Sequence, residues 1–206
     1  MFSPPSPDPG IEISAFSQGM SKGLRQSEGV QILVRPEVAV GPLFAGAFYK
    51  NVTSPTADGE AAVLAGLRRR IGGFDLAASA AYKWNTGARA QADRDCIEFT
   101  VTASRRFGPL TPRINLIYSP DDLGGTRASL YAEAGASFSL FAGASLSANV
   151  ARRTRDGGPD YVAFNAGASY AITSNVTAEL RYYDTAQSRI GVIYEPRLVA
   201  SARVHF

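Results

Sequence analysis

The chain has 206 residues, enough for one domain, with 45% hydrophobic residues, 20 Gly, 12 Pro and a single cysteine. A net charge of +3 without any basic cluster interleaved with aromatics argues against a nucleic-acid partner, and one cysteine excludes an internal disulfide or a CxxC zinc site. No apolar run reaches the roughly 18 residues that a membrane-crossing helix requires, whereas a mean hydropathy of -0.06 suits short strands with two unlike faces.

Residues 1–10, MFSPPSPDPG, have neither the basic region nor the apolar core of a secretory signal. They read as a flexible tail, and an exported protein with this start is expected to be a mature chain without its signal peptide. Alternation begins at Ile11, with Ile11, Ile13 and Ala15 opposing Glu12, Ser14, Phe16 and Gln18. A polar loop over 21–29 leads to a second alternating run over 30–40, where Pro36 predicts a local defect because proline cannot donate to a ladder. After Gly41-Pro42 the two rows of 43–52 are mixed, which leaves their facing open. A loop at 53–58 precedes a strand at 59–71, and Gly72-Gly73 forms a two-residue hairpin turn.

The second half repeats the pattern. Strands are expected at 74–85, 97–106, 110–119, 128–140, 142–152, 162–172, 176–182 and 196–206. The last of these puts Leu198, Ala200, Ala202, Val204 and Phe206 on one row and Arg197, Ser201, Arg203 and His205 on the other, with Val199 the only exception. Such alternation gives about twelve strands of roughly ten residues, the length that crosses a bilayer at a tilt. Connections at 41–42, 72–73, 107–109, 140–141 and 173–175 are short. Those at 21–29, 53–58, 86–94, 120–127, 153–160 and 185–195 are longer, matching the short periplasmic turns and long extracellular loops of outer-membrane barrels. An even strand count then places both termini on the short-turn side.

Aromatics on the apolar row fall into two bands. Phe74, Phe107, Phe138, Tyr170 and Phe206 lie near the short turns, while Tyr82, Trp84, Tyr118 and Tyr182 lie near the long loops. Amphipathic rings form such girdles at the two membrane interfaces. A soluble lipocalin-like barrel alternates too, with its apolar row inward. Here that row is rich in alanine and free of charge over long stretches, a thin core but an adequate lipid-facing surface. The expectation is an all-β chain in the outer membrane, a closed antiparallel up-and-down transmembrane barrel over 11–206. Membrane lipids are its surroundings, and the closing strand ending on Phe206 addresses the outer-membrane insertion machinery.

Several short segments also carry a family resemblance. Ser21-Lys22-Gly23-Leu24-Arg25-Gln26, Tyr118-Ser119-Pro120-Asp121-Asp122-Leu123-Gly124, Tyr131-Ala132-Glu133-Ala134-Gly135-Ala136-Ser137 and Tyr183-Asp184-Thr185 resemble, in order, elements of TorF-type porins of Gram-negative proteobacteria. The first departs from its element, with Lys where the family has Arg and the Ser displaced by Arg25. The resemblance implies an outer-membrane barrel with a pore role and leaves the solute unassigned.

No catalytic constellation emerges. The sole histidine, His205, sits near the terminus on the polar row, Cys96 has no histidine beside it on its strand, and neither a GxSxG element nor a metal or cofactor motif occurs. Function is therefore expected on the polar row, where bases outnumber acids and a low-dielectric wall would favour anions. The expected pore-lining residues are Arg35, Arg68, Arg113, Glu133, Glu179, Arg181 and Arg203, with the constriction at mid-barrel. Two readings stand: a narrow diffusion channel for small, preferentially anionic solutes, or a non-conducting barrel with a structural or interaction role. In either, the basic loop Arg152-Arg153-Thr154-Arg155 could meet lipopolysaccharide phosphates, although a solvated loop serves as well.

Overall fold

A computed structural model describes residues 7–54, 56–89 and 94–206. The strands are β1 (Asp8–Phe16), β2 (Gly19–Ser21), β3 (Leu24–Ser27), β4 (Gln31–Val40), β5 (Leu43–Asn51), β6 (Gly59–Ile71) and β7 (Phe74–Thr86). They continue as β8 (Asp95–Arg105), β9 (Leu110–Asp122), β10 (Arg127–Phe141), β11 (Ala144–Arg155), β12 (Tyr161–Ala171), β13 (Val176–Asp184) and β14 (Arg197–His205). Two 3-10 turns, η1 (Ser188–Ile190) and η2 (Val192–Tyr194), lie in the last long connection.

β1 and β4 to β14 form a closed antiparallel barrel of 12 strands, each paired with its chain neighbours, and β1 closes the ring against both β14 and β4. At the seam Ile13 stands opposite Val204 on one side and Val34 on the other. Directly opposed residues share a face, so the apolar rows stay in phase around the circumference. The apolar row faces outward: Val63, Val101, Ile114, Leu116 and Leu180 are each about half exposed. Closure removes every sheet edge, which hydrocarbon requires because an unpaired amide there costs several kcal/mol. No helix among the described residues is long and apolar enough to cross a membrane, which is silent on strands.

Local chemistry sets the turns. Ile71 pairs with Phe74 across Gly72 and Gly73, whose φ values of 59° and 82° suit the type I′ geometry that follows strand twist. Pro36 leaves the anticipated defect, since the β4–β5 ladder passes from Val34–Tyr49 to Glu37–Gly46 without pairing Arg35 or Pro36. The facing of 43–52 is now fixed. Leu43 and Tyr49 point outward, while Phe44 and Phe48 point into the lumen under the Arg68 and Lys50 side chains.

Four sequence expectations are corrected. The tail ends earlier than 1–10, because Asp8 to Gly10 already pair with Glu37 to Ala39 in β4; residues 1–6 lie outside the described set. The turn near 140–141 falls at 142–143, because a bulge between Ser139 and Phe141 lengthens β10. The expected loops 120–127 and 153–160 shrink, because β9 runs on to Asp122 and β11 to Arg155. The largest correction concerns 21–29, which is not a plain external loop. Residues 17–30 fold into the β2–β3 hairpin, and that hairpin enters the barrel. Residue 55 in the loop at 53–58 and residues 90–93 in the loop at 86–94 are outside the described residues.

Candidate functional site

The hairpin is built by a two-residue turn. Ser21 pairs with Leu24, and between them Lys22 and Gly23 both take positive φ, 49° and 81°. Lys22 in this conformation is sterically unfavourable for a residue with a Cβ, and its contacts show what holds it there. Its Nζ lies 2.7 Å from Glu98 and in contact with Asp122, on β8 and β9. Its carbonyl accepts the Tyr161 hydroxyl of β12 at 2.5 Å. The hairpin leaves the wall between β1 and β4, so β8 to β12 are the opposite wall, and the tip spans the barrel.

Gly23 fits closely against β12: a Cβ there would overlap that of Ala163. Leu24 is buried with Tyr131, Ala151, Tyr161, Ala163 and Tyr194 in an apolar cluster inside the barrel. Tyr194 of η2 meets Tyr161 edge-on at 5.6 Å, and the Tyr194 hydroxyl accepts Arg155 Nη2 at 2.6 Å. The last long connection therefore packs into the same mouth.

Around this cluster runs a chain of buried charges of alternating sign. Lys50 Nζ is 3.2 Å from Glu60, and Lys83 Nζ is 3.1 Å from Glu60 and 3.3 Å from Glu98. Lys22 links Glu98 to Asp122, and Arg153 closes the chain on Asp122 at 2.7 Å. Glu60 also accepts Gln26 Nε2 at 2.8 Å, which ties the second hairpin strand to β6. Asp122 further accepts Ser129 Oγ at 2.9 Å and the Leu123 amide at 2.9 Å. An isolated buried charge would be strongly unfavourable. Here each carboxylate touches at least two cations, and the hairpin supplies the central one.

This clamp divides the lumen. Beneath it lies a cavity of about 620 Å³, lined by Met20, Lys22, Arg113, Glu133, Arg181 and Arg203 among others. A second space of about 490 Å³ lies against Arg35, Phe44, Phe48 and Arg68. Above it, toward the long loops, about 240 Å³ remains between Arg25, Gln26, Gly124, Arg155 and Ile193.

All the anticipated lumen residues, Arg35, Arg68, Arg113, Glu133, Glu179, Arg181 and Arg203, line the two lower spaces. Most are paired. Arg113 Nη2 is 3.2 Å from Glu133, Arg181 Nε is 2.7 Å from Glu179, Arg203 Nε is 3.6 Å from Glu12, and Arg68 contacts Glu37. Arg181 also donates to Asn165 and Ser147 at 2.5 Å, so it is fixed against the wall. The contacts that cross the lumen lie nearer the long loops, where Lys22 meets Glu98, Asp122 and Tyr161.

Sequence reasoning missed Lys22, Asp122 and Arg153, since all three fell in segments read as loops, and it missed Glu60 at a strand start. The basic segment is likewise redistributed. Arg153 is buried on Asp122, and Arg155 bonds the Pro159 carbonyl and lies over the Tyr161 ring, which leaves only Arg152 extended on the outer surface. Cys96 is buried with Sγ 3.9 Å from Asp122, and His205 is exposed at the short-turn rim, 3.7 Å from Glu12. Among the described residues, no group of three metal-ligating side chains converges. The girdle residues Phe74, Tyr82, Phe107, Tyr118, Phe138, Tyr170, Tyr182 and Phe206 all project outward and exposed, and Trp84 lies beside Tyr82 with ring centroids 5.8 Å apart.

A closed barrel with this strand number, apolar outside and charged within, has the fold of small outer-membrane porins, and that fold is characteristic of the outer membrane. The chain is similar to the KdgM porin, with a TM-score of 0.67, 8% identity, and coverage of 96% of this chain and 99% of that one. It is also similar to the NanC porin, with a TM-score of 0.60, 10% identity and coverage of 95% and 97%. A third likeness is to the COG4313 outer membrane channel from Pseudomonas putida F1, with a TM-score of 0.58, 13% identity and coverage of 100% and 97%. At such identities the likeness is one of fold. No family model and no curated protein matches the sequence.

Proposed function

We propose that the chain is a narrow outer-membrane channel for passive diffusion of small polar solutes, with the aperture set by the β2–β3 hairpin. The observation that carries this reading is the lower lumen. About 620 Å³ of polar space is enclosed by strands whose outer surface is apolar, and so suited to lipid. Resemblance to TorF-type porins supports the same reading. The charges of the two lower spaces balance, with Lys22, Arg35, Arg68, Arg113, Arg181 and Arg203 facing Glu12, Glu37, Asp75, Glu98, Glu133 and Glu179, so any anion preference is weak. KdgM has been solved in complex with disordered oligogalacturonate. A carboxylated saccharide is a solute class compatible with this lumen.

In the membrane, the two aromatic bands would sit at the interfaces. Arg152 would lie level with lipopolysaccharide phosphates, and β14 with Phe206 would be the signal for the insertion machinery. One feature favours the alternative, a barrel that does not conduct: the hairpin spans the full diameter and is held by buried ions. Planar-bilayer recording of the intact chain separates the two. Small discrete conductance steps are expected, with a reversal potential in a salt gradient that shows weak anion selectivity. Absence of any step above the bare bilayer would favour the closed barrel, and cation selectivity would contradict the charge argument.

A further inference from the structure

Among the described residues, the outer rows near the short turns carry two charges, and both are arginines. Arg69 lies on the outward row of β6 between Leu67 and Ile71, and Arg105 lies on that of β8 beyond Ala103. Through β7 the register sets Arg69 beside Leu76, Leu76 beside Ala103, and Phe74 beside Arg105. The two Cα atoms are therefore two strand spacings apart and offset by two residues, on the order of 12 Å, which two long side chains can close.

The inner-row neighbours of Arg69 are neutralised, Arg68 by Glu37 and Arg70 by Asp75 at 3.6 Å, while Arg106 beside Arg105 donates to the Gly108 carbonyl at 3.0 Å. Arg69 and Arg105 have no carboxylate partner among the described residues. Arg105 is instead held between the Phe74 and Phe107 rings, with its guanidinium 5.0 Å from each centroid. Such cation–π contacts fix the direction of the side chain without neutralising it. Both rings belong to the lower aromatic band, so the guanidinium is fixed at the level that the outer-membrane reading assigns to headgroup phosphates. Arg69, one row deeper, reaches that level by extending along the surface.

We propose that Arg69 and Arg105 form a clamp for the phosphodiester of an anionic phospholipid in the periplasmic leaflet, its acyl chains lying over Leu67, Leu76 and Val101. The proposal rests on the outer-membrane reading above. Planar guanidinium groups present paired N–H donors that match phosphate oxygens. The opposite rim differs: among the described residues its outward charges include Asp95, Arg152, Asp160 and Asp184, which are of mixed sign, and Arg152 lies 3.7 Å from Asp160.

Native mass spectrometry of the protein folded in neutral detergent, titrated with phosphatidylglycerol or phosphatidylcholine, tests the clamp. Phosphatidylglycerol is expected to be retained preferentially. The Arg69→Gln/Arg105→Gln variant should lose about tenfold in apparent affinity, whereas Arg152→Gln should retain it. Arg69→Gln alone, which leaves the Phe74–Arg105–Phe107 stack intact, should give an intermediate loss and covers the case in which the double variant misfolds. Equal retention of the two lipids, or undiminished phosphatidylglycerol binding in the double variant or in Arg69→Gln, would overturn the clamp while leaving the channel reading intact.

Discussion

Lys22, at the tip of a hairpin that starts between β1 and β4, reaches Glu98 on the far wall of the barrel at 2.7 Å. The contact places a cation from one side of the lumen into a charge chain built on the other. It makes the hairpin a structural part of the interior, and the properties of the lumen depend on whether it stays there.

Gly23 is the position at which docking can be tested with least disturbance to the barrel. It takes a φ of 81° and lies against Ala163. Replacing it with Val adds both backbone strain and overlap, so the docked state should be depopulated. Limited trypsinolysis at Lys22 and Arg25 is expected to be about tenfold faster in Gly23→Val than in the parent chain. Equal cleavage rates with an intact barrel would contradict the docked hairpin.

Charges in the chain should differ in their effect on stability. Glu60 is the carboxylate for both Lys50 and Lys83, and Lys83 alone has a second partner in Glu98. Glu60→Ala therefore strands the Lys50 ammonium in a buried setting and should cost about 3 kcal/mol. Lys22→Ala leaves Glu98 with Lys83 and Asp122 with Arg153, so its cost should be about 1 kcal/mol. Denaturant unfolding followed by Trp84 fluorescence measures both, and a larger loss for Lys22→Ala would contradict this ordering.

Phe206 combines two roles that can be separated. Its amide donates to the Ile11 carbonyl at 2.9 Å and its carbonyl accepts the Ile11 amide at 3.2 Å, while the residue as a whole is 73% exposed. Phe206→Ala keeps the seam and removes the ring. In vitro stability should be unchanged, and the amount of heat-modifiable barrel in the outer membrane of cells should fall several-fold. Normal assembly in cells would show that the ring is not the signal.

Most of the barrel could be read from period-two alternation, because each strand has one face in an apolar setting and one in a polar setting, and alternation records that contrast directly. The same rule failed for the hairpin. Gly19 to Ser27 form strands too short to show a period, and Lys22, Gln26 and Ser27 look like loop residues until their partners on other strands are known. Position along a strand likewise gave no sign of the hairpin crossing the lumen. Arg181 and Glu133 do line the lower lumen, but the segment that crosses it lies outside the strand pattern. Four short segments that carried the family resemblance nevertheless converge on this region. Lys22 and Gly23 form the tip, Asp122 anchors it, Tyr131 packs on Leu24, and Thr185 Oγ1 donates to the Tyr194 carbonyl at 2.8 Å.

The central claim is that the hairpin sets the aperture of a conducting barrel. Phe16 pairs with Gln31, so removing residues 19–27 leaves Ser17, Gln18, Glu28, Gly29 and Val30 to bridge β1 and β4, a length that hairpins accommodate. Single-channel conductance of this deletion, recorded beside the intact chain in the same bilayer and salt, is the most direct measurement. A several-fold larger unitary step in the deletion is the predicted result. Identical steps in the two proteins, or no conductance in either, would contradict it.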